Sequence, residues 1–277
     1  MTSPSEGTQP DPSGLHADPQ VSETELLDLA VAVARDAGAL LLERFNSGRE
    51  RALESKSTPT DLVSEADLAS ERLIRDALAS ARPDDGFLGE EGGEEEGSSD
   101  LTWVVDPLDG TVNFLFSIPQ WCVSVAVRDS QGGLGGAIFD PCRDELFTAT
   151  RSGGALLGGA PLVPSSCHDL ATAMVATGFA YDSEVRAAQA EVLARLLPRV
   201  RDVRRFGSAA LDLAWTAAGR YDAYFERTVK PWDIAAGTLV CERAGLSVVE
   251  LPERAGLPFG VMAVVPGLAE SLLELVG

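Results

Sequence analysis

The run WVVDPLDGTVNF at residues 103–114 constrains this chain most, because an apolar β-preferring stretch leads directly into two aspartates, a proline and a glycine. Trp103, Val104 and Val105 suit a strand end buried on both faces. Asp106 then stands where that strand is expected to stop, since Pro107 fixes its own backbone and biases the preceding residue away from helix. Asp109 follows on the same turn, and Gly110 allows a close backbone approach that a side chain would block. Two carboxylates so close repel each other unless a cation or a proton lies between them. Oxygen-only ligation favours Mg²⁺, Mn²⁺ or Ca²⁺ over zinc, and Mg²⁺ commonly shares its shell with a substrate phosphate. If Gly110 and Thr111 open a helix or a nest, their amides point donors at an anion. Taken alone, the same residues also fit an ordinary Asp-Pro and Asp-Gly turn, so the rest of the chain has to decide.

Length and charge narrow the field. The 277 residues hold one large domain or two modest ones. A formal net charge of −21 argues against nonspecific binding to nucleic acid or to an anionic membrane, both of which select basic surfaces. Only His16 and His168 are present, which leaves no histidine triad and no histidine-based zinc site. Cys122, Cys142, Cys167 and Cys241 lack C-x-x-C spacing and read as reduced thiols, most of them buried. No basic and apolar leader opens the chain and no apolar run approaches a membrane span, so a cytoplasmic location is expected.

Residues 1–20 are rich in Pro, Ser, Gly and Asp and are expected to form a disordered tail ahead of a folded domain over 21–277, with sub-halves at about 21–160 and 161–277. Leu26, Leu27, Ala30, Val33, Ala34, Ala37, Leu40 and Leu41 recur at helical spacing, with Gly48 as a stop. Pro59 breaks the next stretch, and Ser64 then caps a second helix running towards Ala81. Asp61 and Asp67 bracket that helix start, where capping alone would account for both. Glu90 and Glu91 end a short apolar strand, so Glu90 and Asp106 can close neighbouring strands and meet. Glu94, Glu95 and Glu96 read as a solvated loop, and SGGALLGGAP at 152–161 as a glycine-rich turn. Further on, strands are expected at 121–128, 135–140, 145–149, 174–177, 221–226 and 261–265. Helices are expected at 184–197, at 208–218 and from Lys230-Pro231-Trp232-Asp233 onward, with a last helix from about Leu268.

Taken together, GEE at 89–91, WVVDPLDGTVNF, KPWDIAAG at 230–237, KSTPTDLVSEAD at 56–67 and RRFGSAALDLA at 204–214 resemble the inositol monophosphatase family in both content and order. The resemblance implies an α/β (α+β) fold, a layered α-β-α-β-α sandwich of the sugar phosphatase type, often a homodimer. It implies that Glu90, Asp106 and the Leu108 carbonyl hold one Mg²⁺ and that Asp106, Asp109 and Asp233 hold a second. A third, looser ion would face Glu90, Mn²⁺ would be an alternative metal and Li⁺ an inhibitor. Glu90 and Thr111, with Asp67 oriented towards Thr111, would position the attacking water, and the Gly110 and Thr111 amides would hold the phosphate. Lys56 and Asp61 match supporting residues at the edge of the site. Glu226 matches the carboxylate that reads the substrate ring, with Ser208 and Ala209 lining the same side. The implied substrate is a small phosphorylated polyol or sugar, inositol monophosphate first, with histidinol phosphate and fructose 1,6-bisphosphate as alternatives within the fold. Association with the transcription machinery is the alternative of another class. The chain departs from the family pattern at Gly245-Leu246, where a Gly-Gly pair is usual, at the short LPERAGLPFG segment and at Val112.

Overall fold

Residues 21–47, 54–55, 62–63, 65–254 and 256–277 are described by a computed structural model. The expected tail at 1–20, the Gly48 stop, Pro59, Ser64 and the supporting residues Lys56 and Asp61 lie outside the described residues.

Helix α1 (Glu23–Ser47) buries Leu26, Ala30, Val33, Ala34, Ala37 and Leu41 along one stripe, as its periodicity requires. A small ladder of β1 (Glu54–Ser55) with β2 (Leu62–Val63) leads into α2 (Glu65–Ala81). Next come β3 (Gly86–Gly89), β4 (Gly93–Glu95), β5 (Thr102–Asp109) and the short helix α3 (Thr111–Leu115). An antiparallel run follows: β6 (Cys122–Asp129), β7 (Gly132–Asp140), β8 (Glu145–Thr150), β9 (Ala155–Leu157) and β10 (Ala160–Pro161). Strands β3 to β10 form one eight-stranded sheet in the order β10-β9-β8-β7-β6-β5-β3-β4. The remainder is β11 (Met174–Thr177), α4 (Ser183–Leu196), β12 (Asp202–Arg204), α5 (Ala209–Ala217), β13 (Ala223–Arg227) and α6 (Pro231–Ala244). It ends with β14 (Ser247–Leu251), β15 (Gly260–Val264) and α7 (Ala269–Val276). Its five strands form a mixed sheet ordered β12-β11-β13-β15-β14.

Period-two alternation in the central strands sorts side chains into two cores. Trp103 and Val105 of β5, Val123, Val125 and Val127 of β6 and Ala137 and Phe139 of β7 face α1 and α2. Val104, Ala126 and Ile138 point the other way, into a core shared with α5, α6 and the smaller sheet, which α4 and α7 join through Val192, Leu196, Leu272 and Val276. Helices and sheets therefore alternate as α-β-α-β-α layers, with α5 and α6 sandwiched between the sheets. Gly38 lets α1 lie directly on β7, since a Cβ there would stand 2.6 Å from the Phe139 ring. Among the described residues no helix is long and apolar enough to cross a membrane.

Several local expectations are corrected. β5 does not stop at Asp106: it runs on to Asp109 through a register shift between those two residues, a bulge that accommodates Pro107 without ending the strand. Gly93, Glu94 and Glu95 are an exposed edge strand paired with β3, where Glu95 meets Arg75 at 3.2 Å, instead of a loop. The SGGALLGGAP segment carries β9 and β10, because its apolar centre adds to the sheet edge. Cys122 and Cys241 are buried, whereas Cys142 and Cys167 are only half-buried.

Candidate active site

β3 and β5 run parallel with Gly89 opposite Val105, so Glu90 leaves its strand beside Asp106. Helix α2 braces this junction from behind. Its buried Glu71 accepts from the Glu91 amide at 2.7 Å and from Arg75 at 2.8 Å. Ser70 Oγ donates to the Pro107 carbonyl at 2.8 Å. Gly89 is needed for this arrangement, since a Cβ would stand 2.5 Å from the Glu71 carboxylate.

The bulged end of β5 presents Asp106, the Leu108 carbonyl and Asp109 in succession. Asp106 Oδ1 accepts from the Leu108 amide at 3.0 Å. Burial raises its carboxyl well above the usual carboxylate range, and repulsion from Glu90, Asp109 and Asp233 adds to the effect. Asp109 is gripped by the start of α5: Oδ2 accepts from Ser208 Oγ and from the Ala210 amide, both at 2.7 Å, and Oδ1 from the Ala209 amide at 3.2 Å. Burial still outweighs these donors and lifts its carboxyl to about 6. The Cys122 thiol lies 3.8 Å from Asp109, and burial keeps it protonated.

Gly110 adopts φ 98°, the left-handed conformation that opens α3. Thr111 Oγ1 donates to fully buried Asp67 at 2.8 Å and stands 3.1 Å from the Leu108 carbonyl. Asp233 occupies the first turn of α6, where Oδ2 accepts from the Lys230 amide at 2.6 Å. Capping and cleft-facing roles thus coexist in one carboxylate, which burial holds well above its ordinary pKa.

One cleft of about 470 Å³ is lined by Glu90, Asp106, Leu108, Asp109 and Asp233, together with Gly110, Thr111, Ala209 and Glu226. Tyr224 donates to Glu226 Oε2 at 2.8 Å, and burial pushes the Glu226 carboxyl up to about 7. Ser208 is buried with its hydroxyl turned onto Asp109, behind the wall that Ala209 presents to the cleft.

The donor set is all oxygen and carries several carboxylates in mutual repulsion, which suits a hard divalent cation in kind and charge. Among the described residues no three such side chains are already gathered into a cage. Each aspartate is instead held by its own donors: Asp106 by Leu108, Asp109 by Ser208 and α5, and Asp233 by Lys230.

Sequence reading passed over Glu71, Ser70, Asn113, Arg205 and Tyr224. Asn113 Nδ2 donates to the Phe206 carbonyl at 2.6 Å and to the Gln120 carbonyl at 2.8 Å, which ties α3 to the loop before α5. Arg205 lines the cleft beside Glu226. The local signals available were the Glu71 and Arg75 pair, four apart on a helix, and the Tyr224 and Glu226 pair, two apart on a strand. The tie from Asn113 to Phe206 spans 93 positions, so nothing local in the sequence marks it.

Known proteins match this chain in both sequence and fold. It is 48% identical over 238 residues, 80% of each chain, to an inositol-1-monophosphatase of Mycobacterium leprae. It is 41% identical over 222 residues, 79% of this chain and 83% of the relative, to the Nus factor SuhB of Escherichia coli. The crystal structure of the extragenic suppressor protein suhB from Bartonella henselae superposes with a TM-score of 0.83 at 34% identity, covering 91% of this chain and 98% of that one. A sequence model of the inositol monophosphatase family matches residues 22–274, and the chain belongs to that family.

Proposed function

We propose that the chain is a Mg²⁺-dependent phosphomonoesterase that hydrolyses inositol monophosphate to inositol and inorganic phosphate with water as the nucleophile. The observation that carries this reading is the meeting of Glu90, Asp106, Leu108, Asp109 and Asp233 in the cleft that also holds Gly110 and Thr111. Glu90, Asp106 and the Leu108 carbonyl would hold one ion, and Asp106, Asp109 and Asp233 a second. Bound cations supply Lewis acidity and lower the pKa of water.

The chain's own groups do the rest. Asp67 accepts the Thr111 hydroxyl proton, which leaves the Thr111 oxygen as an acceptor for a water proton. Glu90 and Thr111 thereby orient the attacking water. The Gly110 and Thr111 amides, at the start of α3, hold the phosphate oxygens. With the aspartates engaged as ligands, none is spare to accept the phosphoryl group. Glu226 accepts from substrate hydroxyls, while Ala209 shapes the adjoining wall and Ser208 steadies Asp109.

Phosphate release with Mg²⁺ should be measured on myo-inositol 1-phosphate, histidinol phosphate, fructose 1,6-bisphosphate and glycerol 2-phosphate, with Asp106→Asn as the blank. Preference for the inositol ester, lost in the variant, is the expected result. Preference for histidinol phosphate or the bisphosphate would overturn the substrate.

A second reading rests on the relatives called Nus factor SuhB: the chain also associates with the transcription machinery. A tagged chain that recovers no transcription component from its source cells would reject it.

A further inference from the structure

We infer that Tyr224 and Gly178 set the polyol specificity of the cleft by fixing the Glu226 carboxyl in a single orientation; the inference rests on the substrate reading above. Tyr224 and Glu226 are two apart on β13 and so lie on one face of the strand. The neighbours of Tyr224 across the sheet are Ala176 on β11 and Ala263 on β15, small residues that leave the ring room. Tyr224 is fully buried and spends its only proton on Glu226 Oε2 at 2.8 Å. No other hydrogen bond reaches the Glu226 carboxylate among the described residues. Its remaining acceptor sites are therefore available to ligand hydroxyls on the cleft side.

Gly178 closes the other side of the slot. Thr177 pairs with Phe225, which puts Gly178 alongside Glu226. A Cβ at position 178 would overlap both carboxylate oxygens, so any side chain there would drive Glu226 out of place. Tyr224 is thus a positioning residue that acts through Glu226, and the ligand class it serves is an ester bearing neighbouring hydroxyls.

The test compares Mg²⁺-dependent hydrolysis of myo-inositol 1-phosphate and of p-nitrophenyl phosphate, which carries no such hydroxyls. It uses the parent chain, Tyr224→Phe, Gly178→Ala, Glu226→Ala and the Tyr224→Phe/Glu226→Ala double variant. In Tyr224→Phe, KM for the inositol ester should rise roughly tenfold, the size of one lost orienting hydrogen bond. Its kcat should change by less than about twofold, the pattern of a lost binding contact. The preference for the inositol ester over p-nitrophenyl phosphate should fall by the same factor, and it should fall likewise in Gly178→Ala. In the Glu226→Ala background, Tyr224→Phe should cost nothing more. Equal losses on both esters, or fully additive losses in the double variant, would overturn the positioning role alone. A parent chain that hydrolyses p-nitrophenyl phosphate and leaves the inositol ester untouched would reject the substrate reading and this inference together.

Discussion

The Ser208 hydroxyl and the Asp109 carboxylate, 99 positions apart in the chain, meet at 2.7 Å, and the same oxygen accepts from the Leu211 amide at 3.4 Å. One atom therefore caps α5 and steers a carboxylate at the end of β5. Replacing Ser208 by Ala removes both functions. The lost cap should cost about 1 kcal/mol of stability, read by urea unfolding. Asp109 also loses a donor that favours its ionised form, so half-saturation of activity by Mg²⁺ should move up roughly tenfold, the size of effect expected when a ligand loses its orienting partner. Unchanged Mg²⁺ dependence in Ser208→Ala would show that the contact does not govern the ion.

Gly110 offers a prediction with an internal control. At φ 98°, a Cβ at this position would stand 2.9 Å from the Gln120 carbonyl and 3.2 Å from the Trp121 Cα, backbone atoms that cannot swing aside. Gly110→Ala should cost about 2 kcal/mol or more and displace the Thr111 amide, with kcat falling at least about tenfold. Gly93 also has positive φ, at 76°, with nothing within 4 Å of a Cβ. Gly93→Ala should cost only about 1 kcal/mol of backbone strain and leave kcat unaltered. Equal kinetic losses at both sites would mean that the anion cradle does not depend on Gly110.

The contrast between these contacts explains which parts of the molecule were legible in the sequence. Residues whose role is expressed locally could be read directly. The α1 stripe from Leu26 to Leu41 follows from helical period, and the position of Asp233 in the first turn of α6 follows from Lys230-Pro231. Glu90 and Asp106 were legible as neighbours because each ends a short apolar run, and a parallel β3 and β5 pair brings such ends together. The bulge in β5 was not legible: Asp-Pro has the same composition whether it ends a strand or kinks one, and pairing with β6 decides. The inward turn of Ser208 was hidden for a similar reason. A serine before a helix signals a cap, while its second partner, Asp109, is set by how α5 packs on the larger sheet.

Glu226 should give metal-free stability a measurable pH dependence. Its carboxyl stands at about 7 in the folded chain, above the 4.5 ordinary for a glutamate, because burial disfavours the charged form. Arg205 and the Tyr224 hydroxyl pull it down, while Asp109, Asp212 and Asp233 face it as further acids. The folded state thus holds this proton more tightly than the unfolded one. Its contribution is full below pH of about 4.5 and is lost as pH rises towards 7 and above. Glu226→Gln cannot titrate, so its unfolding free energy in EDTA should decline less between pH 5 and 8 than that of the parent. Parallel declines would show that Glu226 is ionised throughout.

Repulsion in the cleft makes a prediction about metal of its own. The Asp106 carboxyl is raised by burial first and then by Glu90, Asp109 and Asp233, so at neutral pH the metal-free fold bears the cost of crowded negative charge. Asp106→Asn removes one charge, and the amide oxygen can still accept from the Leu108 amide. In EDTA, this variant should therefore melt at a higher temperature than the parent. Mg²⁺ should reverse the order. A ligand present at a hundredfold excess over its Kd stabilises the parent by about 2.7 kcal/mol, whereas the variant, lacking the carboxylate that the proposed function assigns to both ions, should gain little. Scanning calorimetry of both chains with EDTA and with Mg²⁺ reads all four values. A parent chain indifferent to Mg²⁺, together with a destabilised Asp106→Asn, would mean that Asp106 serves the strand end and holds no ion.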